Sequence, residues 1–162
     1  MRRMIVVGLV LGLMVLGSAM VSIAQEGPKL EKIWAPAEFN YGSMLKIYVK
    51  ASDPTGDMKF LNVTAGGGGI TKPVGFMITR LKKGSGNDLN GYIYWDSSRA
   101  AVTSGSMTVE IMVEDRKGNE SETKSVEIKM VTKGAKAEKP PADFQEVEIA
   151  PIMIHNVRKV TP

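Results

Sequence analysis

From Ser106 to Val131 polar and apolar residues alternate with a period of two, which fits a pleated strand with one buried and one wet face and fits no helical spacing. On the first arm Met107, Val109, Ile111 and Val113 alternate with Thr108, Glu110, Met112 and Glu114; on the second, Val126, Ile128 and Met130 alternate with Ser125, Glu127 and Lys129. Asp115-Arg116-Lys117-Gly118-Asn119 joins the arms with turn chemistry, because Asp favours the first position of a type I turn and Gly a following left-handed position. Inward positions are odd-numbered on the first arm and even-numbered on the second, so pairing requires an even-numbered loop or a bulge. A four-residue loop, Arg116 to Asn119, satisfies the first condition.

The same alternation recurs upstream. Lys29 to Glu38 is an extended segment interrupted by Pro36, which confines it to an edge or a bulge and suits a first strand that changes sheets. Met44 to Ser52 places Leu45, Ile47, Val49 and Ala51 inward and Lys46, Tyr48 and Lys50 outward. Asp53 to Asp57 is a turn, and Met58 to Ala65 a strand with Leu61 and Val63 as its inward pair. Gly66 to Gly69 breaks the chain, since each Gly forfeits more backbone entropy than any other residue. Val74 to Leu81 resumes as a strand built on Phe76 and Ile78, Lys82 to Gly91 is a polar loop, and Tyr92 to Trp95 is a short aromatic strand. This gives seven strands in about 105 residues, each about a dozen residues from the next, a spacing of β-sandwiches rather than of βαβ units.

Leu45-x-Ile47-x-Val49-x-Ala51-x-Asp53-Pro54-x-Gly56-Asp57, then Trp95-Asp96, then Val109-x-Ile111-x-Val113-x-Asp115-x-x-Gly118-Asn119 resembles bacterial immunoglobulin-like and fibronectin-III-like modules over roughly residues 28–132. The resemblance implies an all-β, immunoglobulin-like antiparallel β-sandwich of about seven strands. It carries an architecture and no chemistry, because that fold hosts many unrelated functions. The absence of Cys excludes the disulfide-bearing antibody type, thiolate metal sites and a Cys nucleophile.

Arg2 and Arg3 precede an uncharged run from Met4 to Ala24 that ends on small residues at Ser22 and Ala24, which predicts a signal peptide over residues 1–24 cleaved after Ala24. A retained N-terminal membrane anchor is the alternative, since the run is long enough to span a bilayer. An exported domain without disulfides points to an extracytoplasmic bacterial location, periplasmic or secreted, with no membrane span after cleavage. Without Arg2 and Arg3 there are 19 basic residues against 17 acidic ones, too weak and too scattered a field for nucleic acid.

Beyond the sandwich, residues 133–143 form a Lys, Ala, Glu and Pro-rich linker, and residues 144–162 a C-terminal extended segment too apolar for disorder, split by Pro151 into two short strands. That segment either folds back as an extra edge strand or pairs with another chain by strand addition through residues 144–160.

In an immunoglobulin-like sandwich the turn after the second strand and the turn of the last hairpin share one end. That brings together Asp53, Asp57, Glu114 and Asp115, hard oxygen ligands of the kind that suit calcium. The competing reading is that Asp at these positions closes turns through its own hydrogen bonds to backbone amides. Trp34, Tyr48, Tyr92, Tyr94 and Trp95 form either a platform for sugar or peptide or part of the core. Gly84 to Leu89 matches one copy of a calcium-binding nonapeptide that works only when stacked in many copies, so it reads as a loop. His155 is the only His and has no partner that the sequence places beside it, and no paired carboxylates stand out by spacing. The expectation is therefore an exported, non-catalytic module acting through protein or cell-envelope surface contacts. The alternatives are a calcium- or carbohydrate-binding adhesion module and, behind it, a small envelope enzyme.

Overall fold

The computed structural model describes residues 27–67, 70–100 and 104–152. The leader, His155 and the rest of the tail from residue 153 lie outside them, and with them the expected cleavage site and the second of the two tail strands. Among the described residues nine strands are formed: β1 Lys29–Trp34, β2 Glu38–Asn40, β3 Met44–Ser52, β4 Met58–Gly67, β5 Ile70–Arg80, β6 Asp88–Asp96, β7 Gly105–Asp115, β8 Lys124–Val131 and β9 Glu148–Pro151, with a 3-10 turn at Ser97–Arg99. They make a four-stranded sheet in the order β1-β3-β6-β9 and a five-stranded sheet in the order β2-β8-β7-β4-β5. The pairs β2–β8 and β6–β9 are parallel and all the others antiparallel. The protein is an immunoglobulin-like β-sandwich. Among the described residues no helix is long and apolar enough to cross a membrane.

The two strands beyond the expected seven have physical origins. Pro36 ends β1 on one sheet, and the chain re-enters the other as β2 beside β8, so one segment serves both layers. The tail supplies β9, which folds back parallel to β6. Strand addition to another chain through Glu148–Pro151 would first require that segment to leave β6.

The core sits where the inward residues of the two sheets meet. Leu45, Ile47 and Val49 of β3 and Ile93 of β6 face Leu61 and Val63 of β4, Val109, Ile111 and Val113 of β7 and Ile128 of β8, and none is more than 1% exposed. Burying a side chain of this kind contributes about 1.5–3 kcal/mol each, so this layer dominates the stability of the fold. The expectation for β5 is corrected: Ile78 is 54% exposed, and Met77, opposite Val63, is the residue packed on the core. β4 also runs through Gly66 and Gly67 rather than breaking at Gly66, because β7 pairs with it as far as Gly66–Thr108.

The β7–β8 hairpin has the anticipated facing in its body, with Gly105 opposite Met130 and Ile111 opposite Lys124. Its loop differs. At the tip the register slips by one residue, so that Glu114 bridges Glu120, the Asp115 amide donates to the Asn119 carbonyl at 3.0 Å, and the Ser121 amide to the Val113 carbonyl at 2.9 Å. The loop is thus Arg116-Lys117-Gly118, with Gly118 at φ 84°, and not the four residues Arg116 to Asn119. Ser121 absorbs the slip: its hydroxyl accepts from the Val113 amide at 3.0 Å and donates to the Glu122 carbonyl at 3.0 Å. The bulge, the other way of meeting the parity condition, is the one realised.

Candidate functional site

Two regions carry the side chains that the sequence singles out. At one end of the sandwich the Asp53–Asp57 turn, the β5–β6 loop and the hairpin tip are knitted together: the Asp53 amide donates to Asn87 at 2.8 Å, Met58 to Gly86 at 3.3 Å, and Arg116 to Asp57 at 3.1 Å. Gly86 lies so close to the turn that a Cβ there would stand 2.1 Å from the Gly56 carbonyl oxygen. The loop at 84–88 is therefore packed scaffold.

Asp53, Asp57 and Asp115 meet at this end, each offering a carboxylate oxygen within 4.8 Å of the others. Glu114 does not join them. Alternation along β7 sends it to the opposite face, where it accepts from Asn62 Nδ2 at 3.3 Å. Asp53 Oδ1 accepts from the Thr55 amide at 2.9 Å and the Thr55 hydroxyl at 2.8 Å, and Oδ2 accepts from the Asp57 amide at 3.3 Å. Asp115 Oδ1 accepts from the amides of Lys117 at 2.7 Å and Asn119 at 2.9 Å, and Oδ2 from Asn119 Nδ2 at 2.7 Å. Both Asp53 and Asp115 are only 2% exposed. Burial alone would push these carboxyls up, but the converging hydrogen bonds outweigh it and hold both below the usual carboxylate value. These two residues close turns. The donor set has the hard-oxygen chemistry of calcium, yet it supplies three carboxylates, two of them engaged by amides, toward the six to eight oxygens that ion takes.

The second region is the outer face of the four-stranded sheet. Trp34 of β1, Tyr48 of β3 and Tyr92 and Tyr94 of β6 form a row with ring centroids 5.7, 5.7 and 6.4 Å apart. Trp95 belongs to the other face and packs on Phe39 at 6.1 Å. Four of the five rings therefore make a row on the outer face, and the fifth, partly buried, packs against the core.

The row is not bare. The chain leaves β8, is tied at Ala37 and Asn40 by Glu138 and Ala135, and crosses this face as a strap that turns at Pro141–Phe144, where the Phe144 amide donates to the Pro141 carbonyl at 3.1 Å, before forming β9. Lys32 pairs with Asp143 at 2.6 Å and Lys46 with Glu146 at 2.7 Å. The Phe144 ring packs on Tyr48 at 5.8 Å, and the Tyr48 hydroxyl donates to Glu146. Asn90 treats the strap as a neighbouring strand: its Nδ2 donates to the Asp143 carbonyl and its Oδ1 accepts from the Gln145 amide, each at 3.0 Å. The Tyr92 amide then donates to the Val147 carbonyl at 2.8 Å and the Ile152 amide to the Tyr94 carbonyl at 2.6 Å. Gly91 makes the approach possible, since a Cβ there would stand 2.3 Å from the Val147 carbonyl oxygen. Under this cover Tyr48 is 3% exposed, and burial first, with Glu146 second, pushes its phenol above the ordinary value. The Glu146 carboxyl is lowered by Lys46 and Tyr48, and Asp143 by Lys32.

The sequence places Asn90 and Gly91 in the polar loop Lys82 to Gly91. In the structure they lie inside β6, and their roles depend on a segment more than fifty positions away. No family model matches the chain, and no curated protein matches it. Among solved structures it is similar to the PKD domain of an M14-like peptidase from Thermoplasmatales archaeon SCGC AB-540-F20, at 18% identity and a TM-score of 0.45, over 67% of this chain and 99% of that one.

Proposed function

We propose that this chain is an exported, non-catalytic binding module of the bacterial cell envelope that acts through protein contacts, with the outer face of the four-stranded sheet as its working surface. One observation carries the reading: that face already holds a polypeptide segment, gripping its backbone through Asn90 and its side chains through Lys32, Lys46 and Tyr48. Strand edges and alternating side chains are a general means of recognising extended peptides. The experiment is site-specific photocrosslinking in the bacterium that encodes the protein, with the photoreactive residue in place of Tyr94 and, as control, of Glu110 on the five-stranded sheet. A discrete protein adduct from position 94 and none from 110 is expected. Adducts from 110 alone would overturn the assignment of the surface.

A second reading, calcium binding at Asp53, Asp57 and Asp115, is favoured by their 4.8 Å clustering and by Thr55, whose hydroxyl oxygen, with one proton to donate, lies 2.8 Å from Asp53 Oδ1 and 2.5 Å from Asp57 Oδ1. A cation would relieve the crowding of carboxylates around that one donor. A calorimetric titration with calcium that shows neither heat nor a shift in Tm ends this reading.

A further inference from the structure

We infer that the slot beside β6 and the face around Tyr48 form an acceptor site for an acidic peptide segment, and that residues 143–152 of this chain are its built-in competitor. The inference rests on the working surface proposed above and adds the chemistry of the partner.

In the constant-type immunoglobulin arrangement the strand at this edge is supplied in series, between the third and fifth strands of the chain. Here the chain passes from β5 to β6 through residues 81–87 without forming it, and the position is filled by β9, arriving from the C-terminal side and running parallel. The slot is thus occupied by a tethered segment and not by an integral strand. Its recognition elements separate into two kinds. Asn90 and the β6 backbone read main chain, and Gly91 leaves room for a carbonyl, so these accept many sequences. Lys32 and Lys46 select carboxylates at two positions, and the Tyr48 ring takes an aromatic side chain between them. Beyond these, a small residue and an aliphatic one two positions later, Ala150 and Ile152 here, are buried.

The grip on the present occupant is modest. Both ion pairs are solvent-exposed, with side-chain exposures of 58% and 36% for Lys32–Asp143 and 36% and 60% for Lys46–Glu146, and pairs of that kind hold weakly and are screened by salt. β9 spans only Glu148–Pro151. What favours the segment is its tether, which for flexible linkers confers an effective concentration on the order of millimolar. A free peptide of the same chemistry meets a site whose open fraction is small, and its apparent affinity falls by that fraction.

The test uses the full chain and a fluorescein-labelled peptide with the sequence of residues 141–152, followed by anisotropy at low salt. The doubly reversed protein, Asp143→Lys with Glu146→Lys, leaves the sheet untouched and weakens only the competitor. It is expected to bind the peptide at least tenfold more tightly than wild type, and a peptide carrying the same two reversals is expected to bind it at least tenfold more weakly. Hydrogen exchange on the wild-type protein gives an independent readout, with saturating peptide raising exchange across residues 143–152. No binding by either protein, or binding indifferent to the reversal, overturns the inference. A wild-type dimer by light scattering at micromolar concentration that Gly91→Ala abolishes also overturns it, assigning the slot to a second copy of the chain. An adduct at position 94 with no peptide binding would remove this inference and leave the proposed surface standing; no adduct at 94 removes the surface.

Discussion

Asp115→Ala should open the hairpin tip and destabilise the whole sandwich. The carboxylate accepts three hydrogen bonds, from the amides of Lys117 and Asn119 and from Asn119 Nδ2, while it is itself 2% exposed. Hydrogen bonds to a charged acceptor contribute about 1.5–3 kcal/mol each. Lys117 and Asn119 stand at an exposed tip and recover water when the acceptor is lost, so the total belongs at the low end, about 2–4 kcal/mol. For a domain of this size that corresponds to a fall in Tm of roughly 10 °C. Asp115→Asn keeps an acceptor oxygen for the two amides but sets a donor against Asn119 Nδ2, and should lose about 1–2 kcal/mol.

The pH dependence isolates the cause. The folded Asp115 carboxyl lies below its usual value of 3.8, so its contribution is present above that value and is lost as pH falls through the folded one. Urea unfolding of wild type and Asp115→Ala should therefore show the full gap at pH 7 and a narrowing gap below about pH 4. Asp143 and Glu146 on the strap also titrate low, but they do so in both proteins and cancel in the difference. A gap under 0.5 kcal/mol at pH 7, within the range of inert surface substitutions, or a gap unchanged at pH 2.5, would refute the account of Asp115 as the hydrogen-bonded closure of this turn.

Gly91→Ala forces a Cβ to within 2.3 Å of the Val147 carbonyl and should release the strap. Amide exchange should then rise through residues 143–152, and the Tyr48 phenol, raised in the native protein, should titrate back toward its ordinary value of 10.0 in a spectrophotometric titration. Ser121→Ala leaves the Val113 amide without its acceptor in a site where Val113 is 0% exposed, and denaturant unfolding should report a loss of about 1–3 kcal/mol. Trp95→Ala removes the ring packed against Phe39 inside the sandwich and should cost about 3 kcal/mol or more in the same assay, whereas Tyr94→Ala, on the outer face, should cost much less.

The parts legible in the sequence are those that local rules determine. β3 appears with the bounds read from its alternation, and Asp53 and Asp115 meet because strand parity and turn chemistry place them at one end. Glu114 could have been excluded on the same grounds, since neighbours on a strand point to opposite faces and Asp115 already pointed inward. Long-range determinants are what escaped. Asn90-Gly91 carries a turn signature that β3, paired across Lys50–Asn90 and Val49–Gly91, overrides. Tyr48 alternates outward as expected, yet it is buried by Glu146 and Phe144, residues that no local pattern connects to it.

The two regions are held by different means, and stability should be distributed accordingly. At the acidic end three loops are cross-linked by backbone hydrogen bonds and by carboxylates nearly closed to water, so local opening there approaches the cost of global unfolding. The strap is held by exposed charges, the Asn90 side-chain amide, the Tyr48–Glu146 hydrogen bond, Phe144 on Tyr48, the short pairing of β9 with β6 and the burial of Ala150 and Ile152. The pairings of β1 with β3 and of β3 with β6 do not involve it. A sandwich that needed β9 only to complete its sheet would gain nothing from Lys32, Lys46 and Asn90 aimed at the connection before it. Those three side chains grip the segment across the flat of the sheet, where its departure would uncover the aromatic row. On the proposed binding role, amide exchange should open the strap over Tyr48 before the acidic end, and equal protection of the two would count against it.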